Sequence, residues 1–203
     1  MGDNLKLEFL QRIRTYYKQF QFLSRSNFVV TKFVKTIISS HAAYLTLFLS
    51  EDSLSYYTSI LLYPDNYRSR ITKRVHKGEV NPGLRIIVFS WKGILESLKI
   101  NQGKNLLIHE FAHALWLESK LQSNVYTIFD QYPLREFEEL AKQEVDKLTD
   151  TQNHFLRDYA FTNLEEFFAV VSENFFERPT ELKIALPHFY DVCVKLYNND
   201  ILE

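Results

Sequence analysis

Residues 106–116 constrain this chain more than any other stretch, because they set His109-Glu110-Phe111-Ala112-His113 inside an otherwise apolar run. Leu106-Leu107-Ile108 precede the pattern, and Ala114-Leu115-Trp116 follow it. On a helix of about 3.6 residues per turn, side chains four apart lie on one face, so both imidazoles project the same way. At that separation two ring nitrogens can reach one ion with bonds of about 2.0–2.1 Å. Glu110 then reaches the open side of the ion, where a carboxylate can take a proton from an attacking water. Chance produces such a pattern in roughly one chain of this length in a hundred. Chance matches fall mostly in polar, exposed helices, however. Two histidines and a glutamate on one face of a buried helix need a partner, and a metal ion is the simplest one.

A catalytic zinc takes three protein ligands and keeps one position open. A third histidine at position 119 would complete one known arrangement, but that residue is Ser119. The remaining ligand must come from elsewhere, with a carboxylate on a later helix the natural source. In the segment from Tyr159 to Val170, Thr162 or Asn163 can cap a helix whose first turn holds Glu165 and Glu166. Acidic residues there also simply complement the positive helix end, so spacing leaves the two equivalent. Glu173 follows Glu166 on the same face and is a fallback ligand or a partner to one. Glu144 and Asp146 are weaker candidates on a highly charged, solvated helix.

The rest of the chain reads as α+β. The first 20 residues suggest a helix or loose arm, and residues 28–49 a single long helix. Residues 56–63 and 84–89 are rich in β-formers and border the turn signals Pro64-Asp65-Asn66 and Asn81-Pro82-Gly83. A shorter strand is expected over 71–75. Beyond Trp91 the reading is almost wholly helical, over 91–100, 104–120, 134–148, 163–177 and 180–198. That order, a helix, then a small sheet, then helices, places one domain over residues 1–203, with 1–25 as a peripheral helical arm.

Composition excludes several functions. The net charge is −1, from 24 Lys+Arg against 25 Asp+Glu, where direct nucleic-acid binding calls for a basic excess. Arg68, Arg70, Lys73, Arg74 and Lys77 form the one dense basic stretch, which reads as a solvated surface. A single cysteine, Cys193, rules out an intrachain disulfide and fits a reducing compartment. Lys32, Lys35 and His41 interrupt the most apolar stretch and argue against a membrane span. The N-terminus lacks a signal-peptide pattern, so a cytoplasmic location is expected. The 17 Phe and 12 Tyr read as core filling. His41, His76, His154 and His188 stand apart from the motif and read as ordinary surface or core residues.

Three runs then resemble one family. Ser90-Trp91-Lys92-Gly93-Ile94-Leu95, Gly103-Lys104-Asn105 running into His109-Glu110-Phe111-Ala112-His113, and Thr162-Asn163-Leu164-Glu165-Glu166-Phe167-Phe168-Ala169 are similar, in that order, to the Mlc titration factor A (MtfA-like) zinc peptidases. The likeness covers roughly residues 60–179. The catalytic segment of anthrax lethal factor is also similar, with a Tyr seven residues before a Glu-Phe-Phe-Ala. The resemblance implies a zincin-like fold, with a small mixed sheet packed against an active-site helix and a mostly helical C-terminal half. It implies one Zn2+ per chain held by His109, His113 and Glu166, with Glu110 as general base and Tyr159 facing the reacting carbonyl. It implies peptide substrates and aminopeptidase-type cleavage, or else the sequestering of a transcriptional repressor. It also suggests residues 84–90 as the edge strand along which substrate lies. The family commonly continues its first motif with Lys-Leu-Asp, where this chain has Ala114-Leu115-Trp116. If that Asp orients a ligand histidine, another group must do so here.

Overall fold

The computed structural model describes residues 2–69, 73–99, 103–121, 128–147 and 154–202. Their architecture is α+β, with a four-stranded mixed sheet, a two-stranded ribbon and a helical second half.

Helix α1 (Asp3–Gln19) leads directly into strand β1 (Gln21–Ser24). The sequence suggested a peripheral helical arm over 1–25; α1 is exposed or half-buried up to Thr15, whereas its last turn and β1 join the core and the sheet. Tyr16 is fully buried and donates its hydroxyl hydrogen to Ser53 O at 2.9 Å, and β1 forms one edge of the sheet. Helix α2 (Lys32–Thr46) is shorter than the expected 28–49. The side chain of Thr31 accepts from Val34 N and caps it, so the chain before that point is not helical.

Strands β2 (Ser59–Tyr63), β3 (Tyr67–Arg68), β4 (Val75–His76), β5 (Gly78–Asn81) and β6 (Ile86–Ser90) follow. Of the strand expected over 71–75, residues 71 and 72 lie outside the described residues, Lys73 and Arg74 are not in a strand, and only Val75 is, as the start of β4, which pairs antiparallel with β3. The main sheet runs β1-β2-β6-β5, with β1, β2 and β6 parallel and β5 antiparallel to β6. Strand β6 is therefore paired on both sides. The resemblance suggested 84–90 as the substrate's edge strand, and this topology overturns that: the edge on that side is β5.

Alternation along the strands divides the sheet's two faces. Ile60, Leu62, Ile87 and Phe89 enter the main core, while Leu61 and Val88 pack with Tyr67 on the other face. Helix α4 (Leu106–Leu121) carries the motif, lies under the sheet and sends Phe111 against Phe89, with ring centroids 5.7 Å apart. Helix α3 (Trp91–Leu98) precedes it, and α5 (Gln131–Lys147) and α6 (Leu164–Glu177) follow. Pro133 in the first turn of α5 costs no intrahelical hydrogen bond. The expected helix over 180–198 is two, α7 (Pro179–Ala185) and α8 (Pro187–Tyr197). Pro187 has no N–H to extend α7, but it fits the first turn of a new helix.

The aromatic content fills the interior between α4, α5, α6 and α8. Trp116 meets Phe168 at 4.9 Å, Phe137 meets Phe168 at 5.2 Å, and Phe176 meets Tyr197 at 4.9 Å. Cys193 is buried among them. At its far end α4 also holds the loop before β2. The Glu118 carboxylate, with no exposure, accepts from Leu54 N at 2.7 Å and Tyr56 N at 2.8 Å. Leu54 has a left-handed φ of 62°, which this double hydrogen bond helps to hold. No helix among the described residues is long and apolar enough to cross a membrane.

Candidate metal centre

Helix α4 begins at a cap built by Asn105. Its Oδ1 accepts from Leu107 N and Ile108 N at 3.1 and 3.2 Å. Its backbone N donates to Glu173 Oε2 at 2.8 Å and its Nδ2 to Glu177 Oε1 at 2.9 Å, both on α6. The start of the motif helix is thus tied to the helix carrying the second motif. Gly103, just before, has φ +66°, and a Cβ there would lie 2.4 Å from Asn174 Oδ1. Only glycine allows the chain this turn so close to α6.

Three Lewis-base atoms converge between α4 and α6. His113 Nε2 lies 3.1 Å from His109 Nε2, and Glu166 Oε2 lies 3.2 Å from each. Around a tetrahedral ion with bonds of about 2.0–2.1 Å, neighbouring ligand atoms stand about 3.3 Å apart. The donor set and its spacing therefore fit a small divalent metal. These are also the three residues that group as possible metal ligands among the described residues. Glu166 reaches the cluster because Asn163 caps α6, its Oδ1 accepting from Glu166 N at 2.9 Å. Glu165 points to the exposed side, the other way around the same turn. Glu144 instead pairs with His154 at 2.9 Å, and Asp146 is exposed on α5.

Around the cluster, Glu173 occupies the orienting position. Its Oε1 lies 2.7 Å from His109 Nδ1, which as an N–H donor leaves Nε2 with a free lone pair. Arg157 grips the same carboxylate, with Nη2 2.5 Å from Oε1 and Nη1 3.2 Å from Oε2. In the sequence Glu173 stands out only as a fallback ligand, and Arg157 does not stand out at all. An arginine two residues before Tyr159 gives no signal until the fold returns it to α6. Tyr159, half exposed at 50%, stands at the rim and donates to Glu166 Oε1 at 2.8 Å.

The electrostatics favour a cation at the convergence point. Burial alone would depress the His109 imidazole, yet the Glu173 and Glu166 carboxylates reverse this and lift it to about 10. Burial would raise Glu166, but hydrogen bonds from both imidazoles draw it far below the ordinary carboxylate range. Glu110 is raised by burial, against the pull of the two imidazoles. Burial and the Glu166 carboxylate keep the Tyr159 phenol protonated well above its usual range. Among the described residues no hydrogen bond reaches the Glu110 carboxylate, which is shifted by burial and neighbouring charges alone. It borders a cleft of about 510 Å³ that is also lined by Lys77, Gly78, Leu106, His109 and Tyr159.

The remaining histidines lie apart from the cluster. His41 faces its own helix through Ile37 O, His188 is exposed, and His76 lies on the cleft wall.

Known proteins resemble the chain over nearly its whole length. A family model described as glucose-regulated metallo-peptidase M90 matches residues 1–198. An uncharacterized protein of Synechocystis sp. is 30% identical over 202 residues, spanning 92% of this chain and 74% of that protein. The Mlc titration factor A of Edwardsiella ictaluri is 26% identical over 223 residues, spanning 100% of this chain and 84% of its own. That of Yersinia pestis is 24% identical over 201 residues, spanning 91% and 74%.

Proposed function

The chain belongs to the glucose-regulated metallo-peptidase M90 family, and from that premise we propose that it hydrolyses peptide bonds at a zinc ion held by His109, His113 and Glu166. The observation that carries this reading is the convergence of three ligand atoms beside a buried carboxylate that has no hydrogen-bond partner among the described residues and opens on a cleft. A purely structural ion would give Glu110 no task. Zinc, when bound, supplies a Lewis acid that polarises a carbonyl and acidifies a water.

The chain's own groups do the rest. Glu110 takes the proton of the attacking water, and its raised affinity for a proton suits that role. It then passes the proton to the leaving amine. Tyr159 turns its hydroxyl from Glu166 toward the oxygen on which negative charge develops. Glu173, steadied by Arg157, fixes the tautomer of His109. The substrate lies extended along the free edge of β5. Ser90 N donates to Lys77 O at 2.6 Å, so in this antiparallel pair the N–H and C=O of the next residue, Gly78, point away from β6 toward that edge. The cleavage is of aminopeptidase type, in a single domain working in the cytoplasm.

Purified protein is expected to contain about one zinc per chain. His113→Ala is expected to lose the metal; Glu110→Gln keeps it and loses cleavage. A Glu110→Gln protein that cleaves as fast as the parent would sink the mechanism.

A second reading draws on the names of the relatives. Several are called Mlc titration factor A, which names them as titrating Mlc. On that reading this chain binds a transcriptional repressor and cleaves little or nothing. A stable complex that forms equally well with Glu110→Gln and His113→Ala, with peptidase activity at background, would favour it.

A further inference from the structure

Glu110 is positioned in an unusual way. No described group hydrogen-bonds its carboxylate, although the side chain is only 5% exposed. Its place is set by packing, and the surface packed against it is the backbone of Gly78 on β5. A Cβ at Gly78 would lie 2.3 Å from Glu110 Oε1, 2.5 Å from Cδ and 2.6 Å from Cγ. Any of these is far inside van der Waals contact, which begins near 3.5 Å. The obstructing atoms are the end of a flexible side chain, so an added methyl group would displace the carboxylate rather than the strand.

We propose that Gly78 is a positioning residue, whose missing side chain makes the space in which the Glu110 carboxylate faces the cleft. The strand must pass directly over the carboxylate if a peptide added at its edge is to meet it. A side chain at 78 would claim the same volume, and with no hydrogen bond to resist, the carboxylate would swing aside. Gly83 makes the contrast: a Cβ there would meet only Asn81 Oδ1, at an ordinary 3.5 Å. This inference rests on the peptidase reading for its kinetic consequence, but not for its structural one.

The test compares Gly78→Ala, Glu110→Asp, the double variant and the control Gly83→Ala. Zinc content, Tm, kcat and KM on a peptide the parent cleaves are measured for each, and a crystal structure is solved for Gly78→Ala. Gly78→Ala is expected to keep its zinc and fold, to show Glu110 displaced by about 1 Å or more, and to lose about 100-fold in kcat with little change in KM. Glu110→Asp, one methylene shorter, withdraws its carboxylate from the contested space. The double variant should therefore lose at least about tenfold less than the product of the single losses. Gly83→Ala should match the parent. An unchanged kcat in Gly78→Ala, multiplicative losses in the double variant, or a crystal structure with Glu110 unmoved would each overturn the proposal. If the zinc-loaded parent cleaves nothing, the peptidase reading fails, and the displacement of Glu110 in the crystal decides on Gly78 alone.

Discussion

Helix α4 buries two glutamates at its two ends, and their surroundings are opposite. Glu118 accepts two backbone N–H groups and closes off a loop with a left-handed residue. Glu110, as buried, has no hydrogen-bond partner among the described residues and looks into a cleft beside two imidazoles. Burial raises the proton affinity of both. Only the environment separates them: one carboxylate is committed to the backbone, the other is free to exchange a proton. A buried carboxylate therefore suggests chemistry only when its hydrogen bonds are not already taken by the fold.

Replacing each residue in turn tests that contrast. The largest effect is expected at Glu110. Glu110→Gln should lower kcat by about 1000-fold or more while zinc content and Tm stay at parental values. Glu118→Ala should do the reverse. It strands two backbone N–H groups beside a strained residue, so urea unfolding should show a loss of about 3 kcal/mol. Activity per folded molecule should stay near the parent's. If Glu118→Ala abolishes cleavage at full stability, the division of roles is wrong.

Glu173→Gln is expected to come next. With its charge gone, the zinc dissociation constant measured by chelator competition should rise about 100-fold, and in Arg157→Met about tenfold. Equal losses from the two would mean that Arg157 touches the metal site by some other path.

A further effect is in pH dependence. Burial lifts Glu118 to about 7, against the backbone hydrogen bonds that lower it. A carboxylate whose folded pKa lies above its unfolded value of about 4.5 stabilises fully below pH 4.5 and loses that contribution as pH rises through 7. Stability of the zinc-loaded parent should thus fall across that window by on the order of 2 kcal/mol relative to Glu118→Gln. A difference profile that is flat there, or slopes the other way, would contradict the assignment.

The sequence made the motif helix legible because an apolar period and a fixed ligand spacing both point the same way. His109, Glu110 and His113 could be read as one face without any knowledge of the fold. The choice of Glu166 over Glu165 came from the resemblance, because spacing alone treats the two alike; in the fold Asn163 accepts from Glu166 N, and Glu166 lies beside the imidazoles while Glu165 is exposed. Strand β5 gave almost no signal. Gly78-Glu79-Val80-Asn81 has one apolar residue and no alternation, so nothing local identifies it as the edge beside the site. Arg157 and Gly78 matter only through partners that sequence places 16 and 32 residues away, Glu173 and Glu110. The break between α7 and α8 was written in Pro187, but the apolar pattern running across it masked the stop.

The free edge of β5 has a consequence for the protein in crowded solution. An unpaired strand accepts any extended chain, including one from another copy of itself, and such edges seed aggregation. Here the edge is four residues long and ends at Asn81, next to Pro82, which has no N–H to offer. That length suits a single short segment and is too little to nucleate a growing sheet. The edge proposed to receive a peptide is thus also kept short, and lengthening β5 past Pro82 should make the protein less soluble.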